Sequence, residues 1–227
     1  MEEWNEWKFG LFIHWGPWSQ TEIGAIWQIV KKDEPGVREQ RFDLYRTFNP
    51  TEFDPKEWAE IAWEAGMRYV VFTTKHHDGF CNFDTKWTDY DILNPLCPYS
   101  ANENPDITRQ IVDAFRAEGM AIGHYYSHID WHHSAGKYFA RRHWQWQENL
   151  VNTEPELWEY FAEFEKGQVK ELLTNYGDID IMWFDIRWPY TSRKHPEVHH
   201  KVEHPVIMAD VQQLMRMMKE IKPDLIV

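Results

Sequence analysis

The chain has 227 residues, 43% hydrophobic and 16% aromatic, which supplies one sizeable core and fits one domain better than two. A formal net charge of −13 and a pI near 5.3 argue against a nucleic-acid or membrane partner, because both polyanions repel such a surface at long range. Small neutral ligands escape that exclusion. Cys81 and Cys97 are too few for a disulfide framework and match no zinc spacing, so both read as free thiols. No run approaches the ~18 apolar residues of a membrane span. The acidic start MEEWNEWKFG does not read as a signal peptide, which leaves the cytoplasm as the default expectation.

The first predicted strand is the apolar run FGLFIHWG, which ends in His14 and Trp15. A long connection from Gln20 to Pro50 follows, irregular and rich in charge, of the kind that builds pocket walls. Asp54 is a good N-cap, Pro55 fits the first helical position, and Glu57 nearly completes a capping box. Trp58, Ile61, Ala62 and Ala65 share one helical face, and Gly66 supplies the stop. RYVVFTT then reads as a buried strand and runs into KHHD, residues 75–78.

The same unit returns. Asp106 caps a helix with Ile107, Ile111, Ala114 and Phe115 inward, Gly119 stops it, and Ala121–Tyr126 form a strand. After a second long connection, from Ile129 to Thr153, a helix carries Leu157, Phe161, Phe164 and Leu172 inward, with a strand at Ile179–Phe184. A fourth helix, with Met215, Met217 and Met218 as core packing, leads into a fifth short run, LIV, at the terminus. Helices alternating with short apolar strands predict right-handed crossovers and a parallel sheet. The fold class expected is α/β, a (β/α)8 barrel carrying about five of its eight strands, and residues 1–227 are expected to be part of one catalytic domain.

Each complete strand ends in chemistry: His14 and Trp15, then KHHD, then HYYSHIDW, then Asp185. In parallel α/β folds those strand ends form the active site. Asp185 closes a largely buried strand and reads as a nucleophile, or equally as a helix N-cap or an ion-pair partner of Arg187. His76 and His77 are adjacent, so both serve one pocket only where the strand has ended or bulged, as Asp78-Gly79 allows. Taken singly, His14 and Tyr126 read as packed residues as readily as ligand contacts. The fourteen tryptophans suit either a tryptophan-rich core or the stacking of indole on sugar C–H faces. Among His124, His128, His132 and His133, a strand's rise holds the first two roughly 13 Å apart, and no metal is expected there.

KFGLFIHWG, the long block from Phe48 to Ile92, GHYYSHIDW and DIDIMWFD, in that order, resemble the catalytic domain of the α-L-fucosidases of glycoside hydrolase family 29. The resemblance runs from about residue 8 to the end. It implies a (β/α)8-like barrel that hydrolyses α-L-fucosides or fucosylated glycans with retention, using two carboxylates about 5 to 5.5 Å apart. On the matching positions Asp185 would be the nucleophile, and His14, His76, His77 and Tyr126 would bind fucose hydroxyls. Trp15 and Trp27 would form an aromatic wall. No metal or organic cofactor is implied, and an oligomer is compatible with the pattern.

Two departures bear on this. Ile186 follows the nucleophile where the family often has glycine. The family's acid/base carboxylate comes after the strand that here is PDLIV, leaving Glu197 and Glu203 as the only nearby substitutes. A fucose-binding or vestigial pseudoenzyme is therefore the alternative reading, with a histidine-lined metalloenzyme a third.

Overall fold

A computed structural model describes residues 2–21, 40, 42–135, 146–185 and 204–227. In chain order it has α1 (Glu2–Trp7), β1 (Leu11–Ile13), α2 (Pro55–Glu64), β2 (Tyr69–Lys75), α3 (Ile107–Ala117), β3 (Ala121–Ser127), α4 (Trp146–Thr153), α5 (Pro155–Thr174), β4 (Ile181–Asp185) and α6 (Pro205–Ile221). The four strands form one sheet, all pairs parallel, in the order β1-β2-β3-β4. The expected fifth run adds a single parallel bridge, Ile226 to Ile181.

The helices start where the sequence places their caps. The Asp54 carboxylate accepts from the amides of Lys56 and Glu57, and Asp106 accepts from that of Arg109, each cap typically contributing about 1 kcal/mol. One face assignment is wrong. On α2 the buried residues are Ala59 and Ala62, while Ile61 is exposed. The helix turns its small side chains inward, and α3 lies alongside it.

Strand alternation divides the sheet into two faces. Val70, Phe72, Ile122, Tyr126 and Met182 join a large core with Ile111 and Phe115 of α3, Val169 and Leu172 of α5, and Leu214 and Met218 of α6. Val71, Tyr125 and Ile181 line the opposite face, where Trp4 and Trp7 of α1 cover the amino ends of the strands. Gly123 sits in the middle of this second face. A Cβ there would lie 2.9 Å from Val71 Cγ2 and 3.0 Å from Ile181 Cβ, so side chains of the flanking strands occupy the space above β3.

The strand ends are tied together by a buried charged cluster. A register shift between Thr73 and Lys75 turns Lys75 to the helix side, where its ammonium lies 4.3 Å from the Tyr126 ring centroid and 3.3 Å from Asp130 Oδ2. Asp130 also accepts from the amides of His132 and His133. Gly79, at φ 87°, passes so close that a Cβ would be 2.2 Å from Asp130 Oδ1. The amide of Trp131 donates to the His77 carbonyl at 2.8 Å. Burial resists ionisation of Asp130, but Lys75 and the His133 amide outweigh it and hold the carboxyl below its usual range. For Asp78, burial and then the charge of Asp130 push the carboxyl up to about 7.

Two expectations follow from this packing. Gly123→Val overpacks the inner face and should lower the urea midpoint by an amount equivalent to about 1–3 kcal/mol. The Asp78 pKa is raised on folding, so its contribution is fully present below the unfolded value and is lost as pH rises toward about 7. Asp78→Asn keeps an acceptor oxygen and stays neutral. Its stability should therefore gain on the parent's between about pH 4 and pH 7, to a limit of ~4 kcal/mol, read as a rising difference in melting temperature. A parent–variant difference that does not change with pH would show that Asp78 is ionised throughout.

Candidate active site

At the carboxyl ends of the strands, the inner-face positions converge. Registration places Thr73 beside Tyr125 and Ser127 beside Asp185. Tyr125 donates its hydroxyl to Asp185 Oδ2 at 2.6 Å, and His77 Nε2 lies 3.4 Å from the same oxygen. His76 stacks on Tyr125, with ring centroids 5.4 Å apart and planes 14° from parallel. His14 meets Tyr125 and His76 edge-on at 4.7 and 5.2 Å, and its Nδ1 is 3.0 Å from Thr73 Oγ1. Trp18 approaches the outer side of His76 at 5.7 Å. Both histidines of KHHD reach one pocket because β2 ends at Lys75 and the chain turns through Asp78-Gly79.

The electrostatics follow from this placement. Burial, aided by the neighbouring His77 and His14, lowers the His76 pKa to about 2 against the pull of Asp185. Burial and the Lys75 charge lower that of His77 to about 3. Both rings are therefore neutral at ordinary pH and can donate at one nitrogen and accept at the other. Burial and the bond to Asp185 push the Tyr125 phenol up, so it remains a donor. Asp185 keeps 36% of its side-chain surface exposed, which leaves it open to a reactant.

Of the residues singled out in the sequence, His14, His76, His77 and Asp185 come together, and two others do not. Tyr126 faces the helix side, its hydroxyl donating to Gln168 Oε1 at 2.8 Å. The tyrosine that reaches Asp185 is its neighbour, Tyr125. Trp15 packs among Phe48, Phe53 and Trp58 at 5.0 to 5.6 Å, away from Asp185. Alternation explains Tyr126, since adjacent strand residues face opposite ways, while Trp15 lies past the end of β1. Trp27, Ile186, Arg187, Glu197 and Glu203 lie outside the described residues. Tyr125, Ser127 and Trp18 were missed. The first two could have been found by counting back from Asp185 in register, whereas nothing in the sequence singles out Trp18.

The four histidines of HYYSHIDWHH diverge. His124 meets Tyr176 edge-on, His128 Nδ1 pairs with Glu165 at 2.5 Å, and His132 and His133 stack on Tyr90 and Tyr160. Among the described residues the only grouping with metal-ligand geometry is His76, His77 and Asp185, whose donor atoms all lie within 4.8 Å of one another.

The chain matches the α-L-fucosidase family over residues 1–224. It is 28% identical over 202 residues to the tissue α-L-fucosidase of Homo sapiens, an alignment covering 81% of this chain and 39% of that protein. Among solved structures it resembles α-L-fucosidase isoenzyme 1 of Paenibacillus thiaminolyticus at 34% identity and a TM-score of 0.72, over 99% of this chain and 48% of that one. It also resembles an α-L-fucosidase of Bacteroides thetaiotaomicron, trapped as a covalent intermediate in complex with 2-fluoro-fucosyl fluoride, at 29% identity and a TM-score of 0.75, over 99% and 47%. The chain thus spans less than half the length of each of these relatives. The parallel α/β sheet, the carboxylate and histidines at its strand ends, and the match along nearly the whole sequence agree: the chain belongs to the α-L-fucosidase family.

Proposed function

We propose that residues 1–227 are part of one catalytic (β/α)8 barrel domain and carry the sugar-binding and nucleophilic side of a retaining α-L-fucosidase site. The observation that carries this reading is the setting of Asp185. It is a partly exposed carboxylate on a buried strand, oriented by Tyr125 and surrounded by neutral imidazoles that can exchange hydrogen bonds with sugar hydroxyls. The trapped covalent intermediate of the Bacteroides thetaiotaomicron relative supports the same assignment of reaction type.

In this mechanism an Asp185 oxygen attacks the anomeric carbon of an α-L-fucoside and forms a glycosyl ester. The bond to the leaving oxygen breaks, and its electron pair departs with the aglycone, which takes a proton from a general acid. Water then attacks the same carbon and gives up its proton to the conjugate base. The ester bond breaks, and the carboxylate and free fucose return. Tyr125 holds Asp185 in line, and His14, His76 and His77 position the ring. On the family's pattern the acid/base residue follows the strand begun at Leu225, so a reagent that needs little protonation isolates the step assigned to Asp185.

Fucosyl fluoride is such a reagent. Intact-protein mass spectrometry after brief incubation should show one added fucosyl unit on the parent chain and none on Asp185→Ala. Tyr125→Phe should label about 10- to 1000-fold more slowly, as expected when a donor that orients a reacting group is removed. An equal adduct on Asp185→Ala, or none on a cooperatively folded parent chain, would refute the assignment.

A further inference from the structure

Of the three imidazoles beside Asp185, two are tied by a ring nitrogen to a neighbouring hydroxyl and one is not. His14 Nδ1 lies 3.0 Å from Thr73 Oγ1, and His77 Nδ1 lies 2.5 Å from Ser127 Oγ. His76 Nδ1 is buried, and no group among the described residues hydrogen-bonds it. The torsion that turns a histidine ring is broad and roughly two-fold, so a ring without such a tie is placed by what packs on it. Four rings pack on His76. Tyr125 stacks at 5.4 Å between centroids, His77 and His14 lie at 4.4 and 5.2 Å, and Trp18 lies at 5.7 Å with its plane tilted by 53°. The first three are themselves anchored inside the pocket, Tyr125 by its bond to Asp185 and the two histidines by the hydroxyls just named. Trp18 is anchored from outside. It belongs to the single helical turn Pro17–Gln20 and packs on the apolar cluster of Trp158, Phe161 and Phe164. Its indole edge rests on Gly16, where a Cβ would lie 3.0 Å from Nε1.

We propose that Trp18 is a positioning residue that holds the His76 imidazole in place for the sugar, doing by ring packing what Thr73 and Ser127 do for the other two histidines by hydrogen bonding. A group that meets a substrate hydroxyl serves it only within about 0.5 Å and 10–20° of the productive geometry. With the indole removed, His76 keeps its contacts with Tyr125, His77 and His14 but has room to swing into the vacated volume, and no hydrogen bond at Nδ1 restrains it. Trp18 acts through His76 and not on the nucleophile, whose partners are Tyr125 and His77. The packing stands on the structure alone, and its effect on labelling rests on the roles proposed for Asp185 and the imidazoles.

The test has two readouts. In the full chain carrying 13C-histidine, relaxation of the ring C–H groups reports their order on the picosecond-to-nanosecond scale, and His76→Gln identifies the His76 signals. Trp18→Leu keeps apolar bulk for the neighbouring cluster and removes the ring; it should loosen His76 and leave His14 and His77 as ordered as in the parent. With fucosyl fluoride, Trp18→Leu should label about 10- to 100-fold more slowly, and Trp18→Phe, which keeps a smaller ring, about 3- to 10-fold more slowly, as expected when a binding group is misplaced by about 1 Å. Both losses should vanish on a His76→Ala background, because the two residues act as one unit. A cooperatively folded Trp18→Leu chain with the parent's His76 order or labelling rate overturns the proposal. So do losses that add to that of His76→Ala, which would mean that Trp18 acts elsewhere. If Trp18→Leu does not fold, Trp18→Phe carries the same comparison, and parent behaviour there overturns the proposal. An unlabelled parent in which Trp18→Leu still loosens His76 would instead refute the role of Asp185 and leave the positioning by Trp18 standing.

Discussion

A residue on a parallel strand faces one side of the sheet or the other, and in this protein that constraint decides which residues can do chemistry. The faces are fixed by what each must cover: α3, α5 and α6 bury Phe72, Ile122, Tyr126 and Met182, which leaves Val71, Tyr125 and Ile181 on the other side. Registration across β2, β3 and β4 then aligns Thr73 with Tyr125 and Ser127 with Asp185. A slip of one residue in β3 would exchange Tyr125 for Tyr126 and take away both the Asp185 donor and the His77 partner. Gly123 belongs to the same constraint, since the inner face closes over β3 only where no Cβ stands between Val71 and Ile181.

The buried charges behind the site serve the same end. The irregularity in β2 before Lys75 sends the lysine outward and frees His76 and His77 to turn inward. Lys75 is then neutralised by Asp130, which also packs against Gly79 and accepts from the amides of His132 and His133. Buried pairs of this kind contribute little net stability, because desolvation consumes most of the attraction. What the pair does contribute is geometry: it joins the turn after β2 to the turn after β3, and His77 is held between them. Asp78, pushed up to about 7 by burial and by Asp130, can remain neutral where a third full charge would be costly.

Much of this was legible in the sequence, for reasons that differ by element. The caps at Asp54 and Asp106 and the apolar stripes of α3 and α5 are local signals, and each lies where spacing put it. The strand-end location of His14, His76, His77 and Asp185 also followed, because parallel sheets place chemistry there. Tyr125 against Tyr126 was not legible without registration. Two adjacent tyrosines look alike in sequence, and only the pairing of β3 with β4 tells which one faces Asp185. Trp15 failed on a different ground: it lies past the end of β1, where it packs among Phe48, Phe53 and Trp58. Ile61 misled because helical periodicity identifies a stripe, while the close approach of α2 to its neighbour selects Ala59 and Ala62 within or beside it.

The charge balance at the strand ends joins fold to chemistry. His76 and His77 are kept neutral by burial, and Lys75 is cancelled by Asp130 on the far side of the sheet. No uncompensated cation faces Asp185 among the described residues of the pocket. In the reaction proposed for Asp185, a glycosidic bond that breaks would leave the sugar ring oxocarbenium-like, with the positive charge developing a few ångströms from the carboxylate. A site that holds one fixed carboxylate and otherwise neutral dipoles favours that state over the neutral substrate. Protonated histidines would reverse the preference, and it is their burial against Tyr125, Trp18 and Trp131 that prevents it. On the role proposed for Asp185, the aromatic packing around the pocket would act on the reaction through the protonation state of the imidazoles.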